Sequence, residues 1–464
     1  MSLRAANDEG ARRLPDPQAC QRAAEQMLGY ALKAGAEGAE VLVRDGAELE
    51  VRLRLGEPEL IKEAGSRALG LRVLKDGRPA VTYTSDFSDA GLERLARETV
   101  ELAALAEPDV FAALPAPELM ARQVPDLALW DDEVPRLTVE DAIAWTTRGE
   151  AAARAFDPRI TNSDGASLSR VVGATAFASS AGFSGGYRGS YVSLVVQPIA
   201  DDEGGKKRNG SWWTGGRFVA SLESPESVGE TAARRTLAQL GAQKVATCQV
   251  PVIFPPEAGR SLLGKLAGVT SGGAVWRRSS YLADREGTEV ASSLVNIADD
   301  PLIPGAPGSR PFDGEGLASR VNVLVDGGIL RTFLCDTYAA RKLNRVSTGS
   351  AGRGVGGGPH VSTSNLIMRP GGTPRETIER VPEGFYVTHL MGFGFSGVTG
   401  DFSQGASGFW VKNGERTMPV SEVTISANFD DLWKNVDAVA DDLDTRSSTQ
   451  VPTFRVSHMT VAGR

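Results

Sequence analysis

At 464 residues the chain is longer than one hydrophobic core usually serves, so two or three structural units are expected. Hydrophobic residues at 41% and charged residues at 23% describe a globular protein, and 53 glycines point to turns, bulges and close backbone contacts rather than long helices. A net charge of -8 argues against a large basic face for nucleic acid, and the brief run Lys206-Lys207-Arg208 follows Asp201-Asp202-Glu203 and reads as a solvated hairpin.

In chain order, residues 17–34 read as an amphipathic helix. Pro17 sits in its first turn, Ala23, Met27 and Ala31 recur at helical spacing, and Gly35 closes it. Strand periodicity follows. Val41 and Val43 lead into Asp45-Gly46, read as a turn, and Leu49, Val51, Leu53 and Leu55 then alternate. Leu69, Leu71 and Val73 form a second pair with residues 80–83 through the turn Asp76-Gly77. Ser88 is placed to cap a helix carrying Leu92, Leu95, Val100 and Leu102. The proline-rich, acidic stretch 106–135 reads as a linker or wrapped loop, and a helix over 139–156 follows. Residues 160–220 read as strands with glycine turns such as Gly185-Gly186, and Ser224-Pro225 opens a helix reaching Leu240. A new unit starts near Gln249, with a strand over 250–254, a helix over 257–267, and short apolar runs among glycines and serines to the end.

The expected class is therefore α+β. An N-terminal region of helices and antiparallel strands precedes a predominantly β C-terminal domain, folded as a closed or nearly closed sheet. The expected boundaries are 1–107, a linker over 108–135, a middle unit over 136–246 packed with the first, and 247–464.

Three cysteines, Cys20, Cys248 and Cys335, are odd in number and widely spaced, which fits a reducing compartment; the residues up to Pro15 contain no apolar run. No stretch approaches the ~20 apolar residues of a membrane span. A cytoplasmic location without membrane contact is expected. The only histidines, His360, His389 and His458, lack metal-ligand spacing, and HExxH is absent. Cys335, with His360 downstream, reads as an inert buried thiol ahead of a nucleophile. Gly392-Phe393-Gly394-Phe395-Ser396-Gly397 matches a dinucleotide pattern, but the glycine-rich, aromatic run after it is a poor helix. The loop 349–358 lacks a phosphate-loop ending and reads either as a passive connection or as a mobile cover over a ligand.

The run Met391-Gly392-Phe393-Gly394, then Val398-Thr399-Gly400-Asp401-Phe402-Ser403, then Gly408-Phe409-Trp410-Val411-Lys412-Asn413-Gly414-Glu415 closely resembles the C-terminal signature of the TldD/PmbA family. Residues 419–425, 326–330, 338–341 and 347–349 are similar too, and the resemblance covers nearly the whole chain. The family implies a zinc peptidase of two related subunits. In the TldD-like subunit a helix carries HExxxH, and a late cysteine is a further ligand. Here Gly264 stands at the first His position, Lys265 at the Glu and Val269 at the second His, and no cysteine follows Cys335. Glycine and valine offer zinc no lone pair, and a cationic lysine repels it and is no general base.

The resemblance thus implies a PmbA/TldE-like subunit with no catalytic residue, metal ligand or cofactor of its own. Zinc is expected on a TldD-like partner in a heterodimer, and a homodimer is open to the chain in isolation. Peptides or unfolded segments are the implied substrates, with this chain helping to form the cleft, for instance by strand addition at a sheet edge. Arg353, Ser364 and Asn365 are the expected peptide-facing residues. His389 departs from the family pattern, where an acidic residue is expected. The competing readings are a self-associating peptide-binding or scaffold protein with no catalytic partner and a metal-free hydrolase built on Cys335.

Overall fold

The computed structural model describes residues 14–463. Helix α1 (Pro17–Lys33) starts where the Asp16 carboxylate accepts the Gln18 N–H, and Gly35 leaves it with φ +98°. Three strands follow: β1 (Gly38–Arg54), β2 (Glu57–Lys75) and β3 (Arg78–Thr84). Ser88 caps α2 (Asp89–Leu105), and a capping box of Thr138 and Asp141 opens α3 (Val139–Ala155). Next come β4 (Ile160–Ser179), β5 (Phe183–Asp201), β6 (Lys207–Asn209) and β7 (Trp212–Gly216), then α4 (Pro225–Leu237), capped by Ser224.

These strands form one seven-stranded sheet in the order β3-β2-β1-β4-β5-β6, with β7 also on β5. The first and middle stretches of chain therefore share a single sheet. All four helices lie on one face. Odd-numbered β1 residues from Val41 to Leu53 and even-numbered β4 residues from Ala166 to Ala178 point into two neighbouring cores under α1/α2 and α3/α4. The other face of β1 carries Leu42, which packs with Phe177, Phe312 and Leu317 and so faces the C-terminal domain.

Two turn expectations fail. Asp45-Gly46 lies within β1, paired with Arg67 and Ser66 on one side and with Ala174 and Gly173 on the other. Ladders on both sides leave no place for a hairpin; the turn falls at Leu55-Gly56, whose N–H groups donate to the buried Glu150 carboxylate at 2.9 and 2.8 Å. Gly185-Gly186 likewise sits inside β5, opposite Phe177 and Ala176.

The C-terminal domain opens with β8 (Cys248–Phe254), α5 (Pro256–Val269) and α6 (Gly272–Trp276). Then follow β9 (Ile297–Asp299), β10 (Asn322–Asp326), β11 (Ile329–Leu330), α7 (Thr337–Lys342), β12 (Ala351–Gly352), β13 (His360–Val361) and β14 (Leu366–Met368). The last elements are α8 (Arg375–Glu379), β15 (Glu383–Met391), β16 (Asp401–Lys412), β17 (Glu415–Asn428), α9 (Phe429–Lys434), β18 (Val436–Val439), β19 (Thr449–Gln450) and β20 (Phe454–Ala462). Strands β8, β15, β16, β17 and β20 pair in a ring, because β17 also bonds β20, and the sheet closes into a five-stranded barrel. Phe254, Phe454 and Trp433 stack in its core at centroid separations of 5.3 and 5.7 Å. A second sheet, β11-β10-β9-β14-β19, packs into the same core. Helical and strand content are both substantial, and the fold is α+β.

The segment between α2 and α3 wraps the junction of the two halves. Met120 pairs with Leu317, the Ala121 N–H donates to the Gly316 carbonyl at 3.0 Å, and Leu127 accepts from Gly305 at 2.7 Å. No helix among the described residues is long and apolar enough to cross a membrane.

Candidate functional site

Helix α5 follows β8 and buries Ala258, Leu262, Leu263, Leu266 and Val269 in the barrel core. The opposite face carries Ser261, Gly264, Lys265 and Gly268. A side chain built at Gly264 or Gly268 would meet nothing within 4 Å. The Lys265 ammonium donates to the Ser261 Oγ at 2.7 Å, and partial burial lowers its proton affinity. Val269 is 3% exposed and touches the Gly397 loop. Five residues of a regular helix separate side chains by about 140°. Position 264 therefore looks out and position 269 looks in. The side chains at positions 264, 265, 268 and 269 supply no zinc ligand, and among the described residues no three His, Cys, Asp or Glu side chains gather as a metal group.

The loop 349–358 is neither a passive connection nor a free cover. Strands β12 and β13 pair as a short hairpin whose tip rests on β2 and β3. A side chain at Gly70 would overlap the Val355 carbonyl, and Gly356 lies against the Tyr83 ring. Arg353 is 6% exposed; its Nη1 donates to the Glu40 Oε2 at 2.9 Å, and its guanidinium lies 5.7 Å from the Phe177 ring centre. Ser364 is buried, and its N–H donates to Asp299 Oδ1 at 2.6 Å. Asn365 is fully buried; its Oδ1 accepts from Gly308 at 2.8 Å and its Nδ2 donates to the Asp300 carbonyl at 2.7 Å. The three expected peptide-facing residues thus lie beneath the surface and brace the loops around them.

Cys335 is completely buried against Gly272, and burial pushes its thiol up to about 12. The charged groups acting on it are Arg345, Asp336 and Glu286, whereas His360 stands against Asp336. No Cys-His pair forms. The Gly392–Gly397 run leads into β16 rather than a helix. Its Phe395 N–H donates to the Phe393 carbonyl at 2.8 Å, and Ser403 donates back to Gly394 at 2.7 Å. Phe395 packs on Phe429 at 4.5 Å, while Phe393 is wholly exposed. His389 is exposed, at an irregularity in the β15–β16 pairing.

Sequence patterns gave no hint of one group of side chains. Glu40, Arg72, Asp313, Glu315, Asp336 and Arg353 are all buried, brought from β1, β2, the loop before β10, the cap of α7 and the hairpin to one place between the domains. The outermost members of the group, Glu40 and Arg353, are 313 positions apart, and Asp313-Gly314-Glu315-Gly316 reads locally as an ordinary turn.

Residues 39–103 match "PmbA/TldA metallopeptidase domain 1", residues 132–240 the central domain and residues 247–463 the C-terminal domain of the same group. The chain belongs to the PmbA/TldD family of metallopeptidases. Among relatives, metalloprotease PmbA of Escherichia coli O157:H7 is 36% identical over 92% of this chain and 93% of its own length. The PmbA homolog of Haemophilus influenzae is 35% identical over 96% of each. A crystal structure of a candidate DNA gyrase modulator from Bacteroides thetaiotaomicron superposes with TM-score 0.89 at 26% identity, covering 96% of this chain and 99% of that one. TldE of Thermococcus kodakarensis shares the fold, with TM-score 0.85 at 20% identity over 95% of this chain and all of that one. The match to the Bacteroides structure takes in both the sheet domain and the barrel domain of this chain.

Proposed function

We propose that this chain is the metal-free, PmbA/TldE-like subunit of a two-subunit zinc peptidase acting on peptides or unfolded segments. The observation that carries the reading is α5. Gly264, Lys265 and Val269 supply no zinc ligand and no general base, and position 269 is committed to the barrel core. The zinc and its chemistry reside on a TldD-like partner. This chain contributes walls of the cleft and excludes water from it. Arg353, Ser364 and Asn365 act as positioning residues, holding hairpin 349–361 and the loop at 300–309 from below. Cys20, Cys248 and Cys335, none of them in a disulfide, suit a cytoplasmic protein.

Co-purification with a TldD-like protein tests this. The expected result is a mixed dimer that cleaves unfolded peptide and stops when zinc is chelated, while this chain alone is inert. A chain that self-associates and ignores the TldD-like protein supports the scaffold reading instead.

A further inference from the structure

Three aromatic rings meet where the segment between α2 and α3 crosses the C-terminal domain. Phe111 comes from that segment, Trp276 is the last residue of α6, and Tyr338 lies on α7. Phe111 and Trp276 each stand edge-on to Tyr338, at centroid separations of 6.5 and 5.9 Å. The Lys342 ammonium, from the last residue of α7, lies 3.9 Å from the Phe111 ring centre, 5.2 Å from Trp276 and 5.4 Å from Tyr338. All four side chains are half-buried. Lys342 has no ion pair among the described residues, so the ring faces are what hold its charge.

The cage does not depend on the lysine for its shape. The Tyr338 hydroxyl donates to Asp109 Oδ2 at 2.9 Å, the Phe111 N–H donates to Asp109 Oδ1 at 2.9 Å, and Arg341 donates to the Val110 carbonyl at 2.8 Å. A phenol that donates to a carboxylate presents a more electron-rich ring face, which favours a cation further. Arg277 also reaches Trp276, at 5.2 Å, but Lys342 is the cation among the described residues that all three rings share. Ring faces around an ammonium recognise it by charge and shape, and the occupant shown to fit is a lysine side chain. We propose that Phe111, Trp276 and Tyr338 form a lysine-recognition site that the chain keeps closed with its own Lys342, an autoinhibitory contact whose outside ligand is a lysine side chain of another polypeptide. The tethered occupant acts at an effective concentration in the millimolar range or above, so a lone outside lysine competes poorly until Lys342 is removed or loses its charge. The site stands apart from α5, and its test does not involve peptide cleavage.

Nuclear magnetic resonance of the full chain tests this with Nα-acetyl-lysine amide as the probe, because ring currents in a cage move the signals of its terminal methylene protons upfield. Lys342→Ala should bind the probe about tenfold more tightly than the wild type, the gain expected when a competing ammonium is removed. The same probe acetylated on its side-chain nitrogen carries no charge and should show no shift with either protein. An unshifted probe beside a Lys342→Ala protein with the circular dichroism of the wild type would overturn the site. Equal binding by the two proteins would overturn the claim that Lys342 fills it. A shift that persists when Trp276→Leu is added to Lys342→Ala puts the binding elsewhere and overturns the assignment. A second measurement needs no alanine variant. After reductive methylation of the wild-type lysines with isotope-labelled formaldehyde, one methyl signal should stand upfield of the rest and be missing from Lys342→Arg. A spectrum without that signal overturns the contact.

Discussion

Arg353 and Glu40, 313 positions apart in the chain, meet at 2.9 Å inside the protein. Their contact ties the glycine-rich hairpin of the C-terminal domain to the first strand of the sheet. The close approach is made possible from the sheet side, at Gly70 of β2, where a side chain would overlap the Val355 carbonyl.

Arg353→Ala removes one of two cations from a fully buried carboxylate. Arg72 remains, so the expected loss is about 3 kcal/mol, the low end for breaking a buried pair. Chemical denaturation of the full chain measures it, and Arg331→Ala, which breaks an exposed pair with Asp326, serves as the control at under about 1 kcal/mol.

Gly70→Ala tests the close approach of the two domains. The new methyl group would overlap the Val355 carbonyl, so the hairpin must move, at about 1–3 kcal/mol. Gly65→Ala on the same strand meets only the Gly46 carbonyl at 3.8 Å and should cost less. Urea midpoints of the two variants should separate clearly, and faster amide exchange at residues 351–361 should appear in Gly70→Ala alone.

Cys335 should resist alkylation in the folded protein at pH 8. Its thiol is raised to about 12, so only a trace is thiolate, and no surface reaches it. Half-buried Cys248 should label first. Mass spectrometry of briefly labelled native protein distinguishes the two. Cys335→Ala should leave any peptidase activity of the complex with the TldD-like protein unchanged, since no histidine pairs with the thiol.

Local signals place the four helices of the sheet domain, because Asp16, Ser88, Thr138 and Ser224 each cap a helix within three residues of themselves. The β1–β2 hairpin was misplaced for the opposite reason. Asp45-Gly46 has turn chemistry, but pairing with β2 and β4 overrides it, and such pairing is set by residues far away in the chain. Closure of the barrel depends on three residues of β17 meeting β20, a contact no periodicity reveals. That residues 264–269 include no His, Cys, Asp or Glu is legible because residue identity alone decides it. The acid cluster was not, because each member looks ordinary in its own segment. Arg353, Ser364 and Asn365 were picked out by their place in a glycine-rich region, and that composition marks tight packing here as readily as exposure.

The most direct test of the account is metal content alongside activity. The purified chain should carry far less than one zinc per molecule and leave an unfolded peptide intact, and adding a TldD-like subunit should bring zinc and cleavage together. One tightly held zinc per chain with peptide cleavage by this chain alone, both abolished by changes at residues 264–269, would contradict it.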